Sequence, residues 1–182
     1  LGLSRPHMPY KGLIMAILIS PMIVPLIITA AGMFFFYARI NLVYTFTGVI
    51  LAHVALATPF VVITVTATLV GFDMNMVKAS QSLGARPVRT FFKVIMPLIL
   101  PGVISGALFA FITSFDEVVI VMFMASLDQL TIPKQMWAGI RQEISPVILC
   151  MATCLVVLSI FLLTTVELLR RRSEKLRGIK AR

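Results

Sequence analysis

Residues 144–166 read ISPVILCMATCLVVLSIFLLTTV, a run without one charged side chain. Residues 167–182, ELLRRRSEKLRGIKAR, then crowd seven of the chain's sixteen Lys and Arg residues into the C-terminus. A helix needs about 20 apolar residues to cross the hydrocarbon core of a bilayer. The uncharged run meets that length, and the basic run after it is what anchors such a helix at an anionic lipid surface. Strands are the other means of satisfying backbone groups in lipid, but the period-2 alternation of a barrel strand is absent.

Working outward, three more stretches have the same character. Gly12 to Ala38 is uncharged, Ile40 to Phe72 contains a second run, and a third runs from about Leu98 to Met124 with Asp116 and Glu117 inside it. Spans are expected at about 12–38, 44–71, 98–124 and 144–167, within one all-α transmembrane bundle covering 1–182. Composition agrees: 59% of residues are hydrophobic, and 13% are charged against the ~25% of a soluble domain. Prolines recur in or beside the apolar runs at Pro21, Pro25, Pro59, Pro97 and Pro101. Each either kinks its helix along a moving path or is one of the prolines that membrane helices tolerate.

The net charge of +9 raises the question of nucleic acid. No stacking aromatics interleave with the basic residues, so the charge reads as a membrane anchor and no nucleic-acid partner is expected. Cys150 and Cys154 lie four apart on one helix face without a His or a second Cys pair, which makes them packing residues and not a metal site. The chain opens on Leu1, and its first apolar stretch exceeds a secretory h-region and lacks a cleavage site, so an N-terminal part is expected to be absent.

With the N-terminus inside, the inner segments hold Arg5, Lys11, Lys78, Arg86, Arg89, Lys93 and the seven tail residues. The outer ones hold Arg39, Lys134 and Arg141. That asymmetry places both ends in the cytoplasm, including the basic tail at 168–182. Trp137 and Lys134 fall in an outer loop, where they would anchor at the interface or touch an extracytoplasmic protein.

The segment between the second and third spans reads DMNMVKASQSLGARPVRTFFKVIMPLILP (Asp73 to Pro101). Met76 to Leu83 has helical character. Gly84 suits the left-handed position that ends a helix, and Pro87 suits the first turn of a new one through Phe91 and Phe92. Helix, turn and helix at the inner surface would make either a docking knob or an ordinary interfacial linker.

This segment resembles the "EAA loop" of binding-protein-dependent ABC importer permeases, E-A-A-x3-G-x9-I-x-L-P. The matching positions are Lys78-Ala79-Ser80, then Gly84, then Val94, Ile95, Met96 and Pro97. Ala79, Gly84 and Pro97 match outright, Ser80, Val94 and Met96 conservatively, and Lys78 reverses the charge of the motif's Glu. The resemblance covers nearly the whole chain and is nearest the spermidine/putrescine branch. It extends through ILAHVALATPFVV (50–62), PLILPGVISGALFAFITSFDEVVI (97–120) and TIPKQMWAGIRQEISP (131–146).

The resemblance implies a type I importer permease core in a bacterial inner membrane. The coupling loop at 73–97 would seat Lys78, Ala79, Ser80, Leu83, Gly84, Ala85, Pro87, Val94, Met96 and Pro97 on a cytoplasmic ATPase. It also implies a second, different permease subunit and an extracytoplasmic solute-binding protein. ATP and Mg would belong to the partner ATPase, since this chain has no G-x-x-x-x-G-K-[ST] loop and needs no cofactor of its own. Such permeases have about six spans around a core of five, which would leave the first one or two helices missing here. The cargo implied is polyamine-like, with an opine, an amino-acid derivative or a phosphonate as the alternative.

Asp116 and Glu117 interrupt an apolar run, and a carboxylate at mid-bilayer costs about 2.5–3.5 kcal/mol on insertion scales. They either line a polar path for a cation, with Ser114 and His53, or form a helix-end pair meeting water or Arg141. His53 would line the path or hydrogen-bond a neighbouring helix. An intramembrane enzyme built on these groups is disfavoured, because adjacent residues on a helix diverge by about 100° whereas carboxylate chemistry needs two that face each other. A non-transporting membrane scaffold is the remaining class, and it would show no ATPase partner.

Overall fold

A computed structural model describes residues 2–4, 8–142 and 145–176. Of the sequence expectations, Arg5, the side chain of Arg141 and tail residues 177–182 lie outside the described residues. The fold is helical, with no strand among the described residues. Helices long and apolar enough to cross a membrane are Phe46–Val70, Pro87–Phe115 and Pro146–Thr165, with a bent pair near the N-terminus.

That pair occupies the stretch expected as one span over 12–38 and breaks it in the middle. Helix α1 covers Lys11–Ile23, α2 covers Leu26–Arg39, and they meet at 109°. The cause is Pro25, which has no N–H to donate and pushes the preceding residue out of the helical region. Val24 is accordingly extended at φ −72°, ψ 135°. Pro21 stays inside α1 and Pro59 inside the next helix, so the prolines act differently according to place.

Helix α3 (Phe46–Val70) begins at Thr45, whose hydroxyl accepts from the Gly48 N–H at 3.0 Å and donates to the Leu42 carbonyl at 2.7 Å. The partner of α3 is α6 (Met96–Phe115), joined to it through the loop that carries α4 (Asn75–Ser82) and α5 (Pro87–Thr90). A Cβ on Gly102 would collide with Thr68, and one on Gly106 would stand 3.1 Å from the Val61 Cα. The two glycines form a small-x3-small stripe on α6 that brings the backbones together, as membrane helices do where no hydrophobic force drives them. Thr64 and Thr68 fit the seam because their hydroxyls return to the carbonyls of Phe60 and Thr64 at 2.8 and 2.9 Å.

Two apolar clusters flank this seam. One holds Leu69, Ile95 and Ile99 with Val77 and Phe91 under the α4–α5 loop. The other holds Ala30, Ala52, Leu56, Ile120 and Met124 at the opposite end, joining α2 and α3 to α7 (Val119–Met124). The span expected over 98–124 therefore differs at both ends. It starts at Pro87, so the second half of the loop is the base of the spanning helix, and it ends at Phe115. The remainder is α8 (Ile132–Gln142) and α9 (Pro146–Leu176), which carries helix past 167 into the basic tail. The Ser145 hydroxyl caps α9 on the Val147 N–H at 3.2 Å, ahead of Pro146 at the first turn.

Candidate functional site

The α4–α5 loop is built by its backbone. Gly84 takes φ +79°, its N–H bonds to the Gln81 carbonyl at 2.9 Å, and the Ala85 N–H bonds to the Ser80 carbonyl at 3.1 Å. These two bonds are the Schellman pattern, and the left-handed residue they require has no Cβ to strain. Arg86 is extended, and Pro87 then opens α5 as its missing N–H allows. The corner is braced inside by the hydroxyls of Ser80 and Thr90, which share a hydrogen bond of 2.9 Å, with Thr90 buried.

The expected loop residues divide by environment. Ser80 points to the brace, and Val94 and Met96 sit on the base of the span. Lys78, Ala79 and Gly84 are exposed, and so is Leu83 at 88%. Met76 and Val88 are exposed as well, so the corner presents an apolar tip.

Between α5 and α6 the chain makes a π turn over Phe91–Ile95, where the Met96 N–H reaches the Phe91 carbonyl five residues back. Pro97 accounts for it. In α register its ring would meet the Lys93 carbonyl, and the wider turn relieves that clash.

The other polar cluster lies at the far end of the α3–α6 seam. His53 Nδ1 and Ser114 Oγ share a hydrogen bond of 2.8 Å between α3 and α6. His53 Nε2 is buried and finds no partner among the described residues. Glu117 is 6% exposed, accepts from the Ile120 N–H at 2.7 Å, and lies close enough to His53 to act on it electrostatically. By taking that N–H, the carboxylate ends α6 and starts α7, which is why the helix does not continue to Met124.

Asp116 does not join this cluster. It is exposed and lines a groove between the end of α6, α8 and α9, beside Trp137. The adjacent carboxylates thus serve two different places. Lys134 donates to the Ala125 carbonyl at 3.3 Å. Cys150 and Cys154 are exposed on α9.

The glycine stripe is the feature that reading the sequence missed. Its signal is Gly102-Val-Ile-Ser-Gly106, the small-x3-small spacing inside an apolar run.

A kinked bundle of apolar helices, with a Schellman-turned corner at one end of its tightest seam and a half-buried imidazole with a buried carboxylate at the other, is a polytopic helical membrane protein. Residues 2–175 match the model of binding-protein-dependent transport system inner membrane components, and the chain belongs to that family. It is 30% identical to the spermidine/putrescine transport system permease protein PotC of Haemophilus influenzae over 174 residues, 96% of this chain and 68% of that one. To PotC of Escherichia coli K12 it is 29% identical, over 96% of this chain and 66% of that one. To the putrescine transport system permease protein PotI of the same strain it is 35% identical over 103 residues, 57% of this chain and 37% of that one.

Proposed function

We propose that this chain is a permease subunit of an ATP-driven importer for a polyamine-like organic cation, in a bacterial inner membrane with the basic tail in the cytoplasm. The observation that carries the reading is the coincidence of two things. The family match spans nearly the whole chain, and the α4–α5 corner exposes Ala79, Leu83 and Gly84 of the motif segment.

In this reading the corner seats on a cytoplasmic ATPase, which binds the ATP and Mg. Because α5, the π turn and α6 form one continuous helix and α6 is locked to α3, tilting of the corner carries the α3–α6 pair with it. That motion is the two-state element alternating access requires. The path runs by His53, Ser114 and Glu117, where a cation finds a buried carboxylate and an imidazole with a free nitrogen, and Asp116 contributes at its mouth. A second permease subunit completes the path, and an extracytoplasmic binding protein delivers the solute. Lys78 stands where the family motif has Glu, so any ion pair with the ATPase has the opposite polarity here.

The test is uptake of labelled putrescine and spermidine by the reconstituted complex, with ATP hydrolysis followed in parallel. Gly84→Val forces a branched side chain to φ +79° and opens the corner. Membrane insertion should persist, while uptake falls at least about tenfold and hydrolysis no longer responds to solute; a disturbance of about 1–3 kcal/mol at the corner suffices for that. Normal coupled uptake in the variant would remove the corner from the mechanism.

A further inference from the structure

We propose that the base of the Pro87–Phe115 helix is a binding site for the headgroup of an anionic phospholipid, held by Arg89 and Lys93. Both side chains are exposed, and at positions i and i+4 they share a face. Thr90 and Ile95 turn the other way, into the protein, where Thr90 meets Ser80 and Ile95 joins Leu69 and Ile99. Val88 and Phe92, 69% and 60% exposed, complete the outer face. Phe92 stands edge-on to Phe91 at 5.1 Å, and Phe91 in turn packs on the apolar cluster under the corner.

Depth decides the occupant. Residues 94–115 carry no charge and cover about 33 Å at ~1.5 Å per residue, the thickness of a hydrocarbon core. Lys93 therefore marks the boundary of that core, and Arg89, about one turn further out, lies among lipid headgroups. The corner tip at Leu83 and Gly84 precedes Pro87 and is left free for a soluble partner.

The charge is also unmet within the chain. Before Asp116 the sequence has one acidic residue, Asp73, and its carboxylate already accepts from the Asn75 N–H at 2.9 Å. Among the described residues no carboxylate pairs with Arg86, Arg89 or Lys93. A phosphodiester with net negative charge supplies what is missing. Its oxygens suit a guanidinium and an ammonium, and its acyl chains start at the level of Phe92. A zwitterionic headgroup would bring an ammonium of its own against the two cations, and a free phosphate would leave Phe92 bare.

Phe92→Trp places a fluorophore on this face. The assembled transporter would be put in nanodiscs of phosphatidylcholine containing a graded fraction of brominated phosphatidylglycerol or, in parallel, brominated phosphatidylcholine. Emission of the new indole is taken as the difference from the parent complex. Half-maximal quenching is expected at a mole fraction of the anionic lipid about thirtyfold lower, the preference that two basic side chains at a membrane surface confer. Arg89→Gln with Lys93→Gln should bring the two lipids together, and Arg89→Lys with Lys93→Arg should keep them apart. Salt at about 1 M should narrow the gap with both basic residues in place, so the test stands even where the double Gln variant fails to assemble.

Equal quenching by the two lipids with Arg89 and Lys93 present would overturn the proposal. A preference for phosphatidylglycerol that survives the double Gln variant or the added salt would do the same. Emission untouched by either lipid would show the face covered by another subunit and overturn it equally. Uptake does not enter these readings, so they hold whether or not the chain carries an amine.

Discussion

His53 shows what one residue can hold in reserve. Its Nδ1 is satisfied by Ser114, but Nε2 is buried without a partner among the described residues. Such an orphan costs about 1–3 kcal/mol, and a path offers a reason to keep it. The double variant His53→Leu, Ser114→Ala removes both partners of the hydrogen bond together. Its melting temperature in detergent should match or exceed that of the parent while uptake falls. A clear drop in melting temperature with uptake intact would make the pair structural. His53 and the two carboxylates stand out in the sequence because ionisable groups are rare in apolar runs. Which way each one turns could not be read there, since neighbouring side chains on a helix diverge and only the packed partners decide the rest.

At the scale of elements, the α3–α6 seam depends on Gly102 and Gly106. A valine at position 106 would press on Thr64 and Val61, an overpacking of about 1–3 kcal/mol. Gly106→Val should lower the melting temperature by several degrees. Gly32→Val on α2, where nothing lies within 4 Å, should change it little. Equal effects at both sites would mean the seam is not the tight contact. The corner of α4 and α5 was legible in advance, because Gly84 and Pro87 carry strong local preferences. The π turn at Phe91–Ile95 and the start of the span at Pro87 were not, because they come from where Pro97 falls relative to carbonyls four residues back.

The molecule as a whole is unevenly held. α3 and α6 are locked together, while no residue of α9 from Pro146 to Thr165 is buried. Hydrogen exchange of the chain in detergent should therefore protect α3 and α6 most and release α9 well before them. Slow exchange of α9 in the isolated chain, equal to that of α3, would contradict this ordering.

The sequence by itself determined the membrane setting, the all-helical class, the family and the corner. All four follow from local quantities: runs without charge, the clustering of Lys and Arg, and a glycine and a proline at fixed spacing. Only the tertiary structure decided that residues 12–38 bend by 109°, that α6 ends at Phe115, and that Asp116 and Glu117 part company. The reason is physical. Within an apolar run every residue is equally content in a helix, so where the helix stops depends on which side chains capture its backbone N–H groups and on what packs alongside.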